Sequence, residues 1–306
     1  MGVVAYLAQR FTYLEAAAWQ ELVENGRITC NGRTCNPTTL IHPGDTITCD
    51  LPDVPVPPEV NLNYTIVYED NWLLGIDKPG HLRVHSQGKF VTANLIYHLR
   101  TQHQPPYPEA ELVNRLDADT SGVVLIARNK EVKRALSVQF AAGEVEKVYV
   151  AVVQGIPQPL TGSIDQPIGQ VTGSRLRHRY GVMEGGKTAV TYYQTLATYG
   201  NHHALLELHP QTGRTHQLRV HLATIGHPIV GDALYTLNDE AFLDWVRERP
   251  LLPMMQGMTR QALHCCETRF THPIIDTTCT ITAPLPADME KLLEQVASYR
   301  LQVTNL

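Results

Sequence analysis

Residues 114–122, Asn-Arg-Leu-Asp-Ala-Asp-Thr-Ser-Gly, set two carboxylates, Asp117 and Asp119, and the cation Arg115 in a turn directly ahead of the apolar run 123–127. A carboxylate on a turn at the mouth of a buried strand can act as nucleophile or base, since the strand holds it still and the turn leaves it reachable. Turn aspartates also bond their own backbone, and the local sequence alone favours that plain role for both. In residues 145–153, strand alternation sets Lys147, Tyr149, Ala151 and Val153 on one face. In residues 212–221, Thr-Gly-Arg-Thr-His-Gln-Leu-Arg-Val-His, a Thr-Gly turn precedes a predicted helix. Leu218, Leu222 and Ile225 share one face of it, Arg219 lies to one side, and His216 stands a turn earlier. His216 and His221 are five apart, not the three or four of a helical metal pair, and no carboxylate stands in the usual place between them, so no metal site is expected.

The elements that must position these side chains follow from pattern. Leu14, Ala17, Ala18, Leu22 and Val23 fall at helical spacing, with Asn25-Gly26 as a stop. Residues 27–30 and 33–35 flank an Asn31-Gly32 turn and read as a hairpin, and Pro43-Gly44-Asp45 leads into a strand at 46–49. Residues 51–63 contain Pro52, Pro55, Pro57 and Pro58, which favour an extended, semi-rigid spacer. A new core opens with strands at 66–70 and 72–76 and the turn Asp77-Lys78-Pro79-Gly80. Val132, Leu136 and Phe140 mark a helix that Gly143 stops; 188–193, 204–208 and parts of 262–286 read as strands; Met289, Leu292, Leu293 and Val296 mark a closing amphipathic helix. The glycine-rich stretch 169–187 holds Arg175, Arg177, His178, Arg179 and Lys187, the densest basic patch. It is either a solvated loop or a phosphate-binding one.

A chain of 306 residues, 43% hydrophobic and 18% charged, can bury one large domain or two smaller ones. A net charge of -5 does not advertise a nucleic-acid partner, so any polyanion site must be local. The cysteines at 30, 35, 49, 265, 266 and 279 have neither a Cys-x-x-Cys pair nor metal-type spacing and read as reduced intracellular thiols. No stretch approaches the ~20 apolar residues of a membrane span, no secretory signal opens the chain, and Tyr6 stands where a myristoylation signal needs Ser or Thr. A soluble, cytoplasmic protein with no membrane association is expected.

The helix, Gly-Arg-Ile, Asn-Gly and Pro-Gly-Asp order within residues 1–50 resembles the S4 module, a small RNA-binding domain. There Arg10, Arg27 and Arg33 face Glu15, Glu21, Glu24, Asp45 and Asp50, a weak footprint for phosphate. Farther on, Arg-Leu-Asp-x-x-Thr-Ser-Gly at 115–122, Lys-x-Tyr at 147–149, the 212–221 motif and Gly-His-Pro-Ile-Val-Gly-Asp at 226–232 together resemble the RluA-type pseudouridine synthases. The resemblance implies an α+β fold with a mixed, largely antiparallel catalytic sheet, divided into an S4-like α/β module at 1–50, a spacer at 51–63 and a catalytic domain at 64–306. It implies isomerisation of specific uridines in structured RNA, ribosomal or transfer, by a monomer without a cofactor. By the same resemblance Asp117 is the catalytic aspartate, Arg115 fills the gap left by the flipped uridine, and Tyr149 packs on the base and is proposed to take the C5 proton. Arg219 pairs with Asp117, Leu218 forms an apolar pocket wall, and Arg175, Arg177, Arg179 and Lys187 are candidate backbone contacts.

The chemistry suits these types. Breaking the N1 glycosidic bond and rejoining ribose to C5 requires a base taken out of its stack and an aspartate kept ionised while partly buried, which an arginine partner favours. Two positions depart from the family pattern: Asn114 stands for a histidine, and His81 stands for the turn glycine of Lys-Pro-x-Gly-Leu. Two other readings compete. A non-catalytic RNA-binding or ribosome-assembly protein would not need Asp117, Tyr149 and Arg219 intact. A glycoside hydrolase would need a second essential carboxylate, for which Asp119 is nearest.

Overall fold

The computed structural model describes residues 1–11, 14–50, 59–87, 90–176, 179–248 and 250–302. The chain divides into two compact units, Met1–Val60 with His85–His98, and Asn61–Val84 with Leu99–Leu306. Residues 51–58 of the expected spacer, and Arg177 and His178, lie outside the described residues. The grouping of His85–His98 with the N-terminal segment departs from the continuous domain expected from 64 onward.

The first unit holds α1 (Val3–Arg10), α2 (Ala16–Glu24), β1 (Ile28–Cys30), β2 (Arg33–Thr34) and β3 (Ile47–Cys49). The strands form one sheet in the order β2-β1-β3. Asn31 and Gly32 have φ of 52° and 75°, the positive values a two-residue Asn-Gly hairpin requires. Val3, Leu7, Trp19, Val23, Ile28 and Cys35 make its core. α1 was not among the expected elements, because Val3 and Leu7 are its only buried residues and their single helical interval is too short to read as a pattern. Helix α3 (Leu95–Thr101) spans the point where the chain passes into the second unit.

The second unit runs through β4 (Thr65–Glu69), β5 (Leu73–Lys78), β6 (Glu111–Leu112), β7 (Ser121–Ala127), α4 (Lys130–Ala142), β8 (Glu146–Gln154), β9 (Thr161–Asp165), β10 (Ile168–Gln170) and β11 (Tyr180–Val182). It continues with β12 (Val190–Tyr199), β13 (His203–Pro210), α5 (Gln217–Thr224), α6 (Ala233–Thr236), α7 (Asp239–Glu248), β14 (Leu263–Thr271), β15 (Thr278–Thr282) and α8 (Ala287–Gln302). A ten-stranded sheet follows the path β4-β5-β7-β14-β8-β13-β12-β9, with β15 on β14 and β6 on β7. β14 pairs parallel with β7 and antiparallel with β8, while β5 lies antiparallel on the other side of β7. β10 and β11 form a separate hairpin from the basic, glycine-rich stretch.

Every residue of β7 is buried, as a central strand covered on both faces requires. Its Gly122 has φ 108°, and a Cβ there would stand 2.1 Å from the Cys265 carbonyl oxygen, so only glycine lets β7 and β14 approach this closely. α4 begins on Asn129, whose side chain accepts from Val132 N, and ends on Gly143 at φ 75°. α5 departs from the amphipathic expectation: Gln217, Leu218, Arg219, Val220, His221 and Leu222 are all buried, because β11, β13 and α6 surround it. His221 is a core histidine, 2.9 Å from Thr191 Oγ1 and 3.0 Å from the Gln166 carbonyl. Among the described residues no helix is long and apolar enough to cross a membrane.

Candidate active site

Asp117 sits in the turn that feeds β7, and each residue of the motif holds that turn. Thr120 N donates to Asp117 O at 3.1 Å and closes it. Thr120 Oγ1 accepts from Gln261 Nε2, and Ser121 Oγ lies 2.9 Å from His264 Nδ1, fastening the strand start to residues ahead of and within β14. Asn114 accepts from Leu125 N at 2.8 Å, so the amide that replaces the family's histidine docks the approach to the turn onto β7. Lys78 is fully buried, and its ammonium donates to the carbonyls of Pro79, Leu82 and Ala118 at 2.8, 3.0 and 3.1 Å. Burial pushes its pKa down to about 7 against the pull of Asp119 and Asp117. The residue beside Asp117 is therefore anchored by the buried Lys78 amine at the end of β5.

Arg219 reaches Asp117 from α5. Its Nη1 donates to Asp117 Oδ2 at 2.9 Å, while Nε and Nη2 donate to Asp232 Oδ2 and Oδ1 at 2.6 and 2.9 Å. The two-pronged partner of the guanidinium is thus Asp232, with 1% of its side chain exposed, and Asp117 takes a single bond. The guanidinium carbon also stands 5.0 Å from the centre of the Tyr235 ring. Bonds to Asp232 and Asp117 and the Tyr235 face together fix its plane. Burial lowers the Arg219 pKa, but the Asp232 and Asp117 carboxylates outweigh it and raise the pKa above its ordinary value.

Burial likewise raises the Asp117 pKa, and the charge of Arg219, then that of His216, more than reverses it, so the carboxyl lies below its ordinary value and is ionised at neutral pH. His216 Nε2 is 3.7 Å from Asp117 Oδ2, and its Nδ1 is 2.8 Å from the Tyr235 hydroxyl. Tyr180 and Tyr235 meet the imidazole edge-on. Both contacts fall on Oδ2; among the described residues Asp117 Oδ1 accepts no hydrogen bond.

Tyr149 is buried on β8, opposite Cys265 of β14. Burial, Cys265 and the Asp117 charge raise its pKa well above the ordinary phenol value, so it is a neutral donor with a planar face. Lys147, expected on the same face, lies 5.9 Å from the Phe140 ring. Arg115 is exposed two residues before Asp117, and Leu218 is buried beside Arg219. Arg175 and Lys187 are exposed on the hairpin region. Arg179 turns inward, donating to the carbonyls of Leu234 and Leu237 and pairing with Asp239 at 2.9 Å. Among the described residues no group of His, Cys, Asp and Glu side chains is placed to hold a metal ion.

Sequence reasoning brought Asp117, Tyr149 and Arg219 forward. It assigned no role to Asp232, the last residue of the 226–232 motif, nor to Tyr235, Tyr180 or the buried end of Lys78. Asp232 had a signal: a carboxylate a few residues past a helix whose arginine needs a partner.

Residues 73–224 match the family model described as RNA pseudouridylate synthase. The chain is 33% identical to an uncharacterized RNA pseudouridine synthase of Synechocystis sp., covering 94% of this chain and 86% of that protein. It is 34% identical to the ribosomal large subunit pseudouridine synthase D of Xanthomonas campestris, covering 94% and 87%. The solved structure of human RNA pseudouridylate synthase domain containing 4 superposes with a TM-score of 0.58 at 27% identity, over 76% of this chain and 92% of that one.

Proposed function

Since this chain belongs to the RNA pseudouridine synthase family, among the RluA-type enzymes, and so binds RNA and isomerises uridine, we propose that Asp117 is its catalytic residue and ribosomal RNA its substrate. The observation that carries the assignment is the 2.9 Å bond from Arg219 Nη1 to Asp117 Oδ2, on a carboxylate held ionised at the mouth of a fully buried strand. The large-subunit name of the Xanthomonas relative supports the choice of ribosomal RNA.

In this reading the target uridine leaves its stack at a cost of a few kcal/mol, and the exposed Arg115 takes its place. Asp117 Oδ1 then acts on the ribose, either adding to C1′ or removing a proton to start an elimination; both routes break C1′–N1 with the electron pair going to N1, the uracil turns and bonds through C5, and C5 then loses its proton to solvent while N1 gains one. Oδ2, tied to Arg219, keeps the carboxylate aimed during both halves. Tyr149 supplies the face on which the detached uracil rests, and Leu218 an apolar wall. Taking the C5 proton would require the phenolate, which burial and the neighbouring Asp117 charge disfavour, so the planar face and the donor hydrogen are the roles the environment of Tyr149 supports. Atoms are only rearranged, so the reaction needs no cofactor, and the protein in this reading is a cytoplasmic monomer. The helices, Asn31-Gly32 hairpin and β3 of the N-terminal unit support an S4-like module within 1–50.

Single-nucleotide chemical mapping of pseudouridine in cells with and without the protein tests the substrate. Loss of large-subunit ribosomal sites, restored by the parent chain, is expected. Loss confined to transfer RNA, or no loss, would overturn it.

A further inference from the structure

We propose that His81 is a positioning residue that clamps the Asp117 turn through Asp119. The inference rests on the reading of Asp117 as the catalytic group.

His81 has φ 61°, in the left-handed region where a Cβ is disfavoured and which the family pattern fills with glycine. A side chain persists in such a conformation when its surroundings hold it there. Both ring nitrogens are engaged: Nδ1 lies 2.9 Å from Asp119 Oδ1 and Nε2 lies 3.0 Å from Thr259 Oγ1. A carboxylate only accepts, so Nδ1–H donates to Asp119, and Nε2 bonds the threonine hydroxyl, which can either donate or accept. The imidazole is thereby a strut between the catalytic turn and the segment that precedes β14.

The rest of the turn shows what the strut adds. Its backbone is held at Ala118, whose carbonyl accepts from Leu82 N and Lys78 Nζ, each at 3.1 Å, and at the Asp119 carbonyl, which accepts from Arg260 Nη1 at 3.2 Å. Those bonds hold backbone carbonyls, and the other bonds of the turn, made by Thr120, Ser121 and Asn114, do not reach the Asp119 side chain. His81 supplies the only hydrogen bond to that side chain among the described residues. Tying it to Thr259 fixes the turn at this point and with it the placement of Asp117 against Arg219. Asp119, which local sequence reads as a plain turn residue, thus acts on Asp117 indirectly, and His81 acts through Asp119.

His81→Gly isolates the strut, because glycine adopts the same φ without strain and deletes only the ring. The expected result is a folded enzyme with undiminished thermal stability, an unchanged KM for RNA and a kcat lowered about tenfold, a fraction of the ~100-fold loss that a misplaced reacting group can cause. His81→Asn, which tolerates the left-handed region and can donate to Asp119, should recover part of the loss. Asp119→Ala should lower kcat alone, and the His81→Gly/Asp119→Ala double variant should be no slower than the slower single one, since both break one contact. A parental kcat in His81→Gly, or additive losses in the double variant, would overturn the proposal. Asp117→Asn run alongside separates the layers: turnover persisting there sinks the catalytic assignment, whereas its abolition with full activity in His81→Gly sinks only the strut.

Discussion

Asp232→Asn tests whether the aim of Arg219 comes from the carboxylate that grips it on the side away from Asp117. Asparagine keeps the shape and one acceptor oxygen, but its amide group points N–H hydrogens at the guanidinium hydrogens that Asp232 accepts at 2.6 and 2.9 Å. Removing one partner of a buried pair costs about 3–5 kcal/mol of stability. At roughly 2–4 °C per kcal/mol in a chain of this size, that lowers Tm on the order of 10 °C. Asp117 becomes the one full counter-charge bonded to Arg219, and the guanidinium is drawn toward it. A shift of about 1 Å at a reacting group is worth about 100-fold in rate. That corresponds to about 2.7 kcal/mol of transition-state stabilisation. Tritium release from RNA carrying C5-tritiated uridine gives kcat, and thermal unfolding gives the stability. A parental kcat with a parental Tm would show that the Asp232 grip is incidental and would refute the reasoning.

The acid limb of kcat/KM should move when Arg219 is neutralised. Burial raises the Asp117 pKa and the charges of Arg219 and His216 lower it by more, so the folded value lies below the unfolded one; the stability this gives is present above the unfolded pKa of about 3.9 and is lost as pH falls through the folded value. Arg219→Gln removes the largest opponent of burial, and the limb should shift toward neutral pH; an unmoved limb would mean that another group sets it. On the hairpin, replacing Arg175 and Lys187 with alanine should reduce the slope of log affinity against log salt by about 1.4, at roughly 0.7 per single-strand phosphate contact. An unchanged slope would make them solvated surface. Arg179→Ala should instead lower stability, because that side chain braces Leu234, Leu237 and Asp239.

Local chemistry made much of the fold legible. The Asn31-Gly32 hairpin, the strand after Thr-Ser-Gly and the Gly143 stop each declare themselves within a few residues, because turn type and side-chain period are local properties. What was not legible is tertiary. The burial of α5 on every side depends on the β10–β11 hairpin and α6 arriving over it, and nothing in its own eight residues says so. Arg175 and Arg179 look alike in sequence, yet whether a basic side chain turns to solvent or to the carbonyls of Leu234 and Leu237 is decided some 55 residues away. Within the site, a matched motif pointed to Arg219 for Asp117, whereas the closer grip of Asp232 on the same guanidinium follows from the three-dimensional path of residues 226–232. His81 was visible as a departure from pattern, but its positive φ and its link to Asp119 belong to the folded turn.

The central claim is that the Asp117 carboxylate performs the isomerisation, and Asp117→Asn tests it most directly. The amide keeps the size of the side chain and an acceptor for Arg219 Nη1 while removing the charge and the nucleophilic oxygen. Tritium release from C5-tritiated uridine in RNA should be abolished while RNA binding persists. Release at the parental rate would contradict the assignment.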